Sequence, residues 1–203
     1  IGESAFSGCG SLTSVIISAG VTSIGRRAFS SCGKLTSATI PKGVTSIGAA
    51  AFRDCGSLTS IEIPAGVTSI DESTFEGCSG LTGIEIPAGV TRIGARAFFG
   101  CSGLTSIEIP QNVTAIDESV FSDCERLRDI QVDSKNENYV SIDGVLFSKD
   151  GTRLLQYPDG KDGATCTIPA SVASIDREAF RGCGNLHDIL VDDKNTSYTS
   201  VDG

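Results

Sequence analysis

The 203 residues contain no methionine and no tryptophan, and only one histidine and three tyrosines. The chain opens at Ile1 and stops at Gly203, each inside a repeated phrase, so it is expected to be a segment of a longer protein. Missing targeting signals therefore say nothing about its location. With His187 as the sole imidazole, a Ser-His-Asp or Cys-His constellation would have to be built around that residue, and no GxSxG stands near it. Neither GxxxxGK[ST] nor GxGxxG occurs, which removes the common phosphate cradles. No apolar run approaches the ~20 residues of a membrane-spanning helix. Sixteen Lys and Arg stand against 25 Asp and Glu, a net charge of −9. That balance excludes a nucleic-acid binder, because neutralising phosphates needs clustered cations.

What the chain has in abundance is repetition. Phe6, Phe29, Phe52, Phe75, Phe98 and Phe121 recur every 23 residues, and Cys9, Cys32, Cys55, Cys78, Cys101 and Cys124 keep the same step. Leu12 to Leu127 and Ile24 to Ile116 form two further rows in phase. The consensus reads LxxIxIPxxVxxIxxxAFxxCxx. Within it "SIEI" alternates polar and apolar residues, the period of a short strand, and the following Pro ends it because it cannot donate to a ladder. Stretches such as "GARAF" and "DESTF" suit a turn or one short helical turn. One unit cannot bury its own Leu, Ile, Val and Phe, whereas stacked units cover one another. The expected architecture is a right-handed solenoid with short parallel strands, one per repeat, and little helix. Phe52, Phe75 and Phe98 are expected to form one buried stack against the Ile24 to Ile116 row.

The register breaks after Val132, and Phe180 lies 59 residues after Phe121. Asp143-Gly144 and Asp150-Gly151 fall between apolar runs, a strong hairpin signal. An antiparallel β-meander sprouting from the solenoid is therefore expected. The tail "VDDKNTSYTSVDG" copies "VDSKNENYVSIDG" at the same offset of 59, so the inserted device is itself repeated. The expected organisation is one solenoid domain over 1–203. It divides into regular repeats over 1–132, the meander over 133–167, a further repeat over 168–191, and the start of a second, truncated insertion over 192–203.

The LxxIxI core, together with the more specific "IP…V..I…AF..C" remainder, resembles the leucine-rich repeats of the BspA-like and Treponema class of bacterial surface proteins. The resemblance covers Gly2 to Val132 and Ile168 to Val191, with Thr74 and Val120 standing in for the alanine of the Ala-Phe box. It implies a secreted or cell-surface protein that adheres to host matrix proteins or other cells through the concave sheet. The alternatives are a stalk that supplies only length, or a scaffold for a domain outside this chain.

Eight cysteines invite a disulfide or zinc reading. No CxxC pair exists and no His lies near a Cys, so zinc spacing is absent. Cys166 replaces an inward Ile and behaves as a small hydrophobe. Buried free thiols are the expectation, with bridging between neighbouring rungs as the alternative. His187 falls where other repeats carry an exposed Thr, and Asp71-Glu72 and Asp117-Glu118 read as turn charges. The loop "DGKDG" from Asp159 to Gly163 lacks calcium-loop spacing, and the threonine rows are interrupted by Arg92 and glutamates, against an ice-binding face. No catalytic residue, metal or cofactor is expected. One outward row remains: Glu62, Glu85 and Glu108, continued by Gln131 and flanked by Ser60 and Ser106. Stacked about 4.8 Å apart, neighbouring carboxylates repel by roughly 0.9 kcal/mol in bulk water. The row is thus either a solvated face or an acidic stripe for a basic protein or glycan ligand of a monomeric chain. Outward aromatics are few, Phe99 being the best candidate, which speaks for the stalk.

Overall fold

The computed structural model describes residues 1–200, so the last three positions of the expected second insertion lie outside the described residues. The chain is a β-solenoid with no helix among these residues. Its first sheet comes from the expected phrases: β1 (Ser14–Ile16), β3 (Ser37–Thr39), β5 (Ser60–Ile61), β8 (Ser106–Ile109), β10 (Asp129–Val132), β14 (Thr165–Ile168) and β16 (Asp188–Val191). Neighbours are parallel and in exact repeat register, as in Ser14 opposite Ser37 and Ser37 opposite Ser60. The sheet is broken into β1-β3-β5, β8-β10 and β14-β16. At Gly83–Ile86 the expected strand does not form. Gly83 stands there in place of the serine of other repeats, and glycine neither packs a side chain nor favours an extended ladder.

A second sheet was not anticipated. The Ser-Ile or equivalent pair that ends seven residues after the last Ile of the strand phrase builds β2 (Ser23–Ile24), β4 (Ser46–Ile47), β6 (Ser69–Ile70), β7 (Arg92–Ile93), β9 (Ala115–Ile116) and β15 (Ser174–Ile175). These are again parallel, in the orders β2-β4 and β6-β7-β9.

The Ala-Phe box is a double turn and not a helical one. Two residues per box sit in the left-handed region: Ala50 and Asp54 (φ 56° and 58°), Ser73 and Gly77 (56° and 72°), Arg96 and Gly100 (57° and 69°). A left-handed residue every four positions forbids continuation of a right-handed helix. Each box up to that of Phe98 instead hands three N–H groups to the next turn, as Ala50, Phe52 and Asp54 do to Glu72, Thr74 and Glu76 at 2.8, 2.9 and 2.7 Å.

Between the sheets and turns lie two hydrophobic clusters, a large one through the regular repeats and a smaller one around Phe147, Leu154, Tyr157 and Ile168. Phe29 to Phe121 are fully buried and stack with Phe6 in a column, ring centroids 5.2–5.9 Å apart and planes within 11° of parallel. The Ile24, Ile47, Ile70 and Ile93 row belongs to the same buried cluster. Cys32, Cys55, Cys78, Cys101 and Cys124 are buried beside them, and all eight cysteines are free. Every buried thiol of that row donates to the carbonyl of the phenylalanine 26 residues earlier at 3.1–3.2 Å. The row is therefore polar glue as well as filler, because those Phe carbonyls would otherwise be buried without that partner.

The meander is β11 (Tyr139–Ile142), β12 (Val145–Ser148) and β13 (Arg153–Gln156), antiparallel as expected, with Asp143 and Gly144 both at positive φ in the first turn. It does not simply sprout from the stack. β13 pairs in parallel with β15, and Tyr157 stacks on Phe180 at 5.4 Å within the second cluster. The third strand is thus a shortened rung of the solenoid. Asn136 fastens the preceding loop by donating to Pro110 and Val113 and accepting from the N–H groups of Asn138 and Tyr139. Asn195 repeats all four bonds with Pro169, Val172, Ser197 and Tyr198. The Tyr139 hydroxyl then accepts the Ile116 N–H at 3.0 Å, supplying the partner that a next rung of the second sheet would have given.

Candidate functional site: an acidic row on the first sheet

The period-2 alternation of the first sheet points Ile61, Ile63, Ile107 and Ile109 into the core and leaves Glu62, Glu85, Glu108 and Gln131 exposed. Gln131 lies directly opposite Glu108 in the β8-β10 ladder, and its amide is held by Asp129 at 2.8 Å. Glu62 and Glu85 border one depression of about 270 Å³ with Ile63, Ala65, Pro87 and Ala88. Glu85, Glu108 and Gln131 border a second of about 450 Å³ with Gly83, Ile84 and Ser106. Glu85 belongs to both, and Gly83, bare of a side chain, opens the second. Ser60 and Ser106 are exposed at the head of their strands.

Among the described residues these carboxylates carry no ion pair. Six arginines pair elsewhere, among them Arg53 and Arg96 with Glu76, Arg92 with Asp117, Arg153 with Asp176, and Arg181 with Asp123 and Glu178. Phe99, the outward aromatic singled out in the sequence, is half-buried and roofed by the guanidinium of Arg96 at 4.0 Å and of Arg181 at 5.1 Å. It is a packing element of the turn edge and not a free contact residue.

The remaining candidates resolve individually. His187 is exposed, and its backbone N–H donates to Ala164. Asp71 accepts from the Ser69 hydroxyl, and Asp117 holds Arg92 at 2.6 Å. Threonine hydroxyls of both rows reach carbonyls of the preceding rung, such as Thr36 to Thr13 and Thr114 to Thr91, so they close the ladder sideways. Among the described residues no three His, Cys, Asp or Glu side chains are grouped to hold a metal ion. Burial pushes the buried thiols up, Cys55 to about 12 with Cys32 adding to the effect, which keeps them protonated. Sequence reasoning passed over Asp159 as a turn residue. It is buried, and its carboxyl is pushed up to about 7, chiefly by desolvation and then by Asp123.

No helix among the described residues is long and apolar enough to cross a membrane. No curated protein matches the chain. Among solved structures it is similar to a leucine-rich repeat protein from Eubacterium ventriosum, 33% identical over 91% of this chain and 49% of that one, with a TM-score of 0.78. A leucine rich cell surface protein from Faecalibacterium prausnitzii is 35% identical over 92% of this chain and 56% of its own, TM-score 0.79. The T. pallidum leucine rich repeat protein is 33% identical over 64% and 61%, TM-score 0.62. The chain thus spans about half the length of the first two. Copies of one repeat family, six in all, match residues 1–128, 45–151 and 161–201. With its 23-residue rungs and its column of Phe and Cys, the chain belongs to the BspA type leucine rich repeat family.

Proposed function

We propose that this chain is a non-catalytic binding segment of a bacterial cell-surface or secreted protein, monomeric, and that it engages a basic protein or glycan partner through the Glu62–Glu85–Glu108 row. The supporting observation is that three exposed carboxylates stand in one row around two adjoining depressions, while the ion pairs of the molecule lie elsewhere. A sheet needing only solubility would relieve their repulsion with neutral side chains, as Thr39 and Gln131 do in the same row. A docking Lys or Arg relieves it instead, raising the association rate and making binding salt-sensitive. The surface location draws support from the family and from the F. prausnitzii relative, described as a cell surface protein. The competing stalk reading is favoured by one observation, the covering of Phe99, which removes the best exposed aromatic anchor.

The test is an array of extracellular matrix proteins and glycans probed with this chain and with a variant in which all three glutamates are glutamine. Loss of the strongest interactions in the variant at low salt, and their weakening in the parent at physiological salt, is the expected outcome. Equal binding by both proteins leaves the row a solubility feature.

A further inference from the structure

The turn ladder is interrupted at one place. Through the Phe98 box each turn hands its three N–H groups forward, the last set being Arg96, Phe98 and Gly100 to Glu118, Val120 and Ser122. Among the described residues, Ser119, Phe121 and Asp123 donate to no backbone carbonyl. The next turn is the shortened rung through Tyr157, which presents no full Ala-Phe box to receive them.

Side chains span the gap. Glu178 accepts a 2.5 Å hydrogen bond from Ser119, and Arg181 forks onto both oxygens of Asp123 at 3.2 Å, contacts that reach across 59 and 58 residues, past the short rung. Asp159 lies within this junction, 3% exposed. Its Oδ2 is buried without a hydrogen-bond partner, and so is the Oγ of Ser122 in the turn before it. Gly182, at φ +84°, packs so closely that a Cβ there would collide with that Oδ2. The groups facing Asp159 are the Asp123 carboxylate, the N–H groups of Asp123 and Cys124 and the Cys124 thiol on the earlier turn, with Arg181 and the Cys183 thiol (4.0 Å) on the later one. Burial first, and then the Asp123 charge, favours its neutral form, and the N–H groups and Arg181 offset this only in part.

We propose that this junction is an acid-tightened joint of the solenoid, closed while Asp159 keeps its proton and opening locally once the carboxylate has to ionise there. The direction follows from linkage. In the closed joint the proton is held up to about pH 7, whereas in the opened chain it leaves near the ordinary value of 3.8. Opening therefore releases a proton between those limits. The Asp159 contribution to closure is fully present below pH 4, is lost steadily up to pH 7, and changes no further above it. The Glu178 carboxylate, held below its ordinary range chiefly by the Ser119 hydroxyl, acts with the opposite sign and loosens the joint as the pH falls through that lower range.

Hydrogen exchange on the intact chain tests this, with the amides of the Phe52 and Phe75 boxes as internal reference. From pH 4 to pH 7 the local opening constant at Leu127, Tyr157 and Gly160, whose N–H groups donate to Cys124, Ala179 and Leu127, should rise at least tenfold relative to the reference. In Asp159→Asn, which stays neutral, the rise should vanish. Carboxyl NMR of the unsubstituted protein provides a readout that does not depend on the variant folding, and Asp159 should titrate near pH 7. A midpoint below pH 5 overturns the proposal, as does an equal rise in the variant or in the reference boxes.

Discussion

Replacing Phe75 by alanine should be among the most costly single changes in the molecule. Its ring is fully buried between Phe52 at 5.9 Å and Phe98 at 5.6 Å. Burying such a side chain stabilises by about 1.5–3 kcal/mol, and each aromatic contact adds about 0.5–1.5 kcal/mol beyond area. Neighbouring turns are pinned by their own hydrogen bonds and cannot collapse into the void, so the loss should reach about 3–5 kcal/mol. For a chain of this size that lowers the melting temperature by on the order of 10 °C. Phe6→Ala is the matched control: that ring is 41% exposed and has one stacking partner, at 5.2 Å. Its loss should cost about 1–2 kcal/mol on the same reasoning. Chemical denaturation of both variants, followed by circular dichroism, gives the comparison. Equal costs, or a greater cost at Phe6, would refute the column as the source of cohesion. Because turns contact only their neighbours, the Phe75 variant should also unfold less cooperatively than the Phe6 variant.

Two further outcomes are expected. Thiol titration of the denatured chain without reductant should find eight free cysteines, and in the native chain only the exposed Cys9 should react promptly; fewer free thiols would mean that rungs are bridged covalently. Tyr139→Phe should lower stability by about 1–2 kcal/mol, because the Ile116 N–H is left without its acceptor, and an unchanged unfolding midpoint would mean that water replaces the hydroxyl.

The rows of Phe, Cys, Leu and Ile were legible in the sequence because stacking buries each row whole, so a single period announces the fold. The second sheet was not, since two residues per rung are too few to show alternation, and its Ser-Ile pairs look like loop. The double turn hid for another reason. Its left-handed positions carry Ser, Arg, Ala and Asp as often as Gly, so the usual glycine signature is missing. The copied Asn-x-x-Tyr phrase was visible as text, but that Asn136 ties a loop and Tyr139 ends a sheet needed coordinates. The acidic row was readable from alternation alone. The depressions around it were not, because they arise where Gly83 lets the first sheet part. Asp159 escaped notice because an Asp-Gly pair ordinarily marks an exposed turn.

The left-handed pairs carry an implication for how much this sequence could still change. Ser4, Arg27, Ser31, Ala50, Asp54, Ser73, Arg96, Ser119, Asp123 and Glu178 all hold a conformation that a side chain disfavours by about 1 kcal/mol each. Their sum is on the order of the whole net stability of an ordinary domain, about 5–15 kcal/mol. The fold tolerates this because each turn is held from both sides by copies of itself, so local imperfection is outvoted by periodicity. A designer who writes glycine into the exposed ones, beginning with Ser4, Arg27 and Ser31, should obtain a hardier solenoid without touching the core or either sheet.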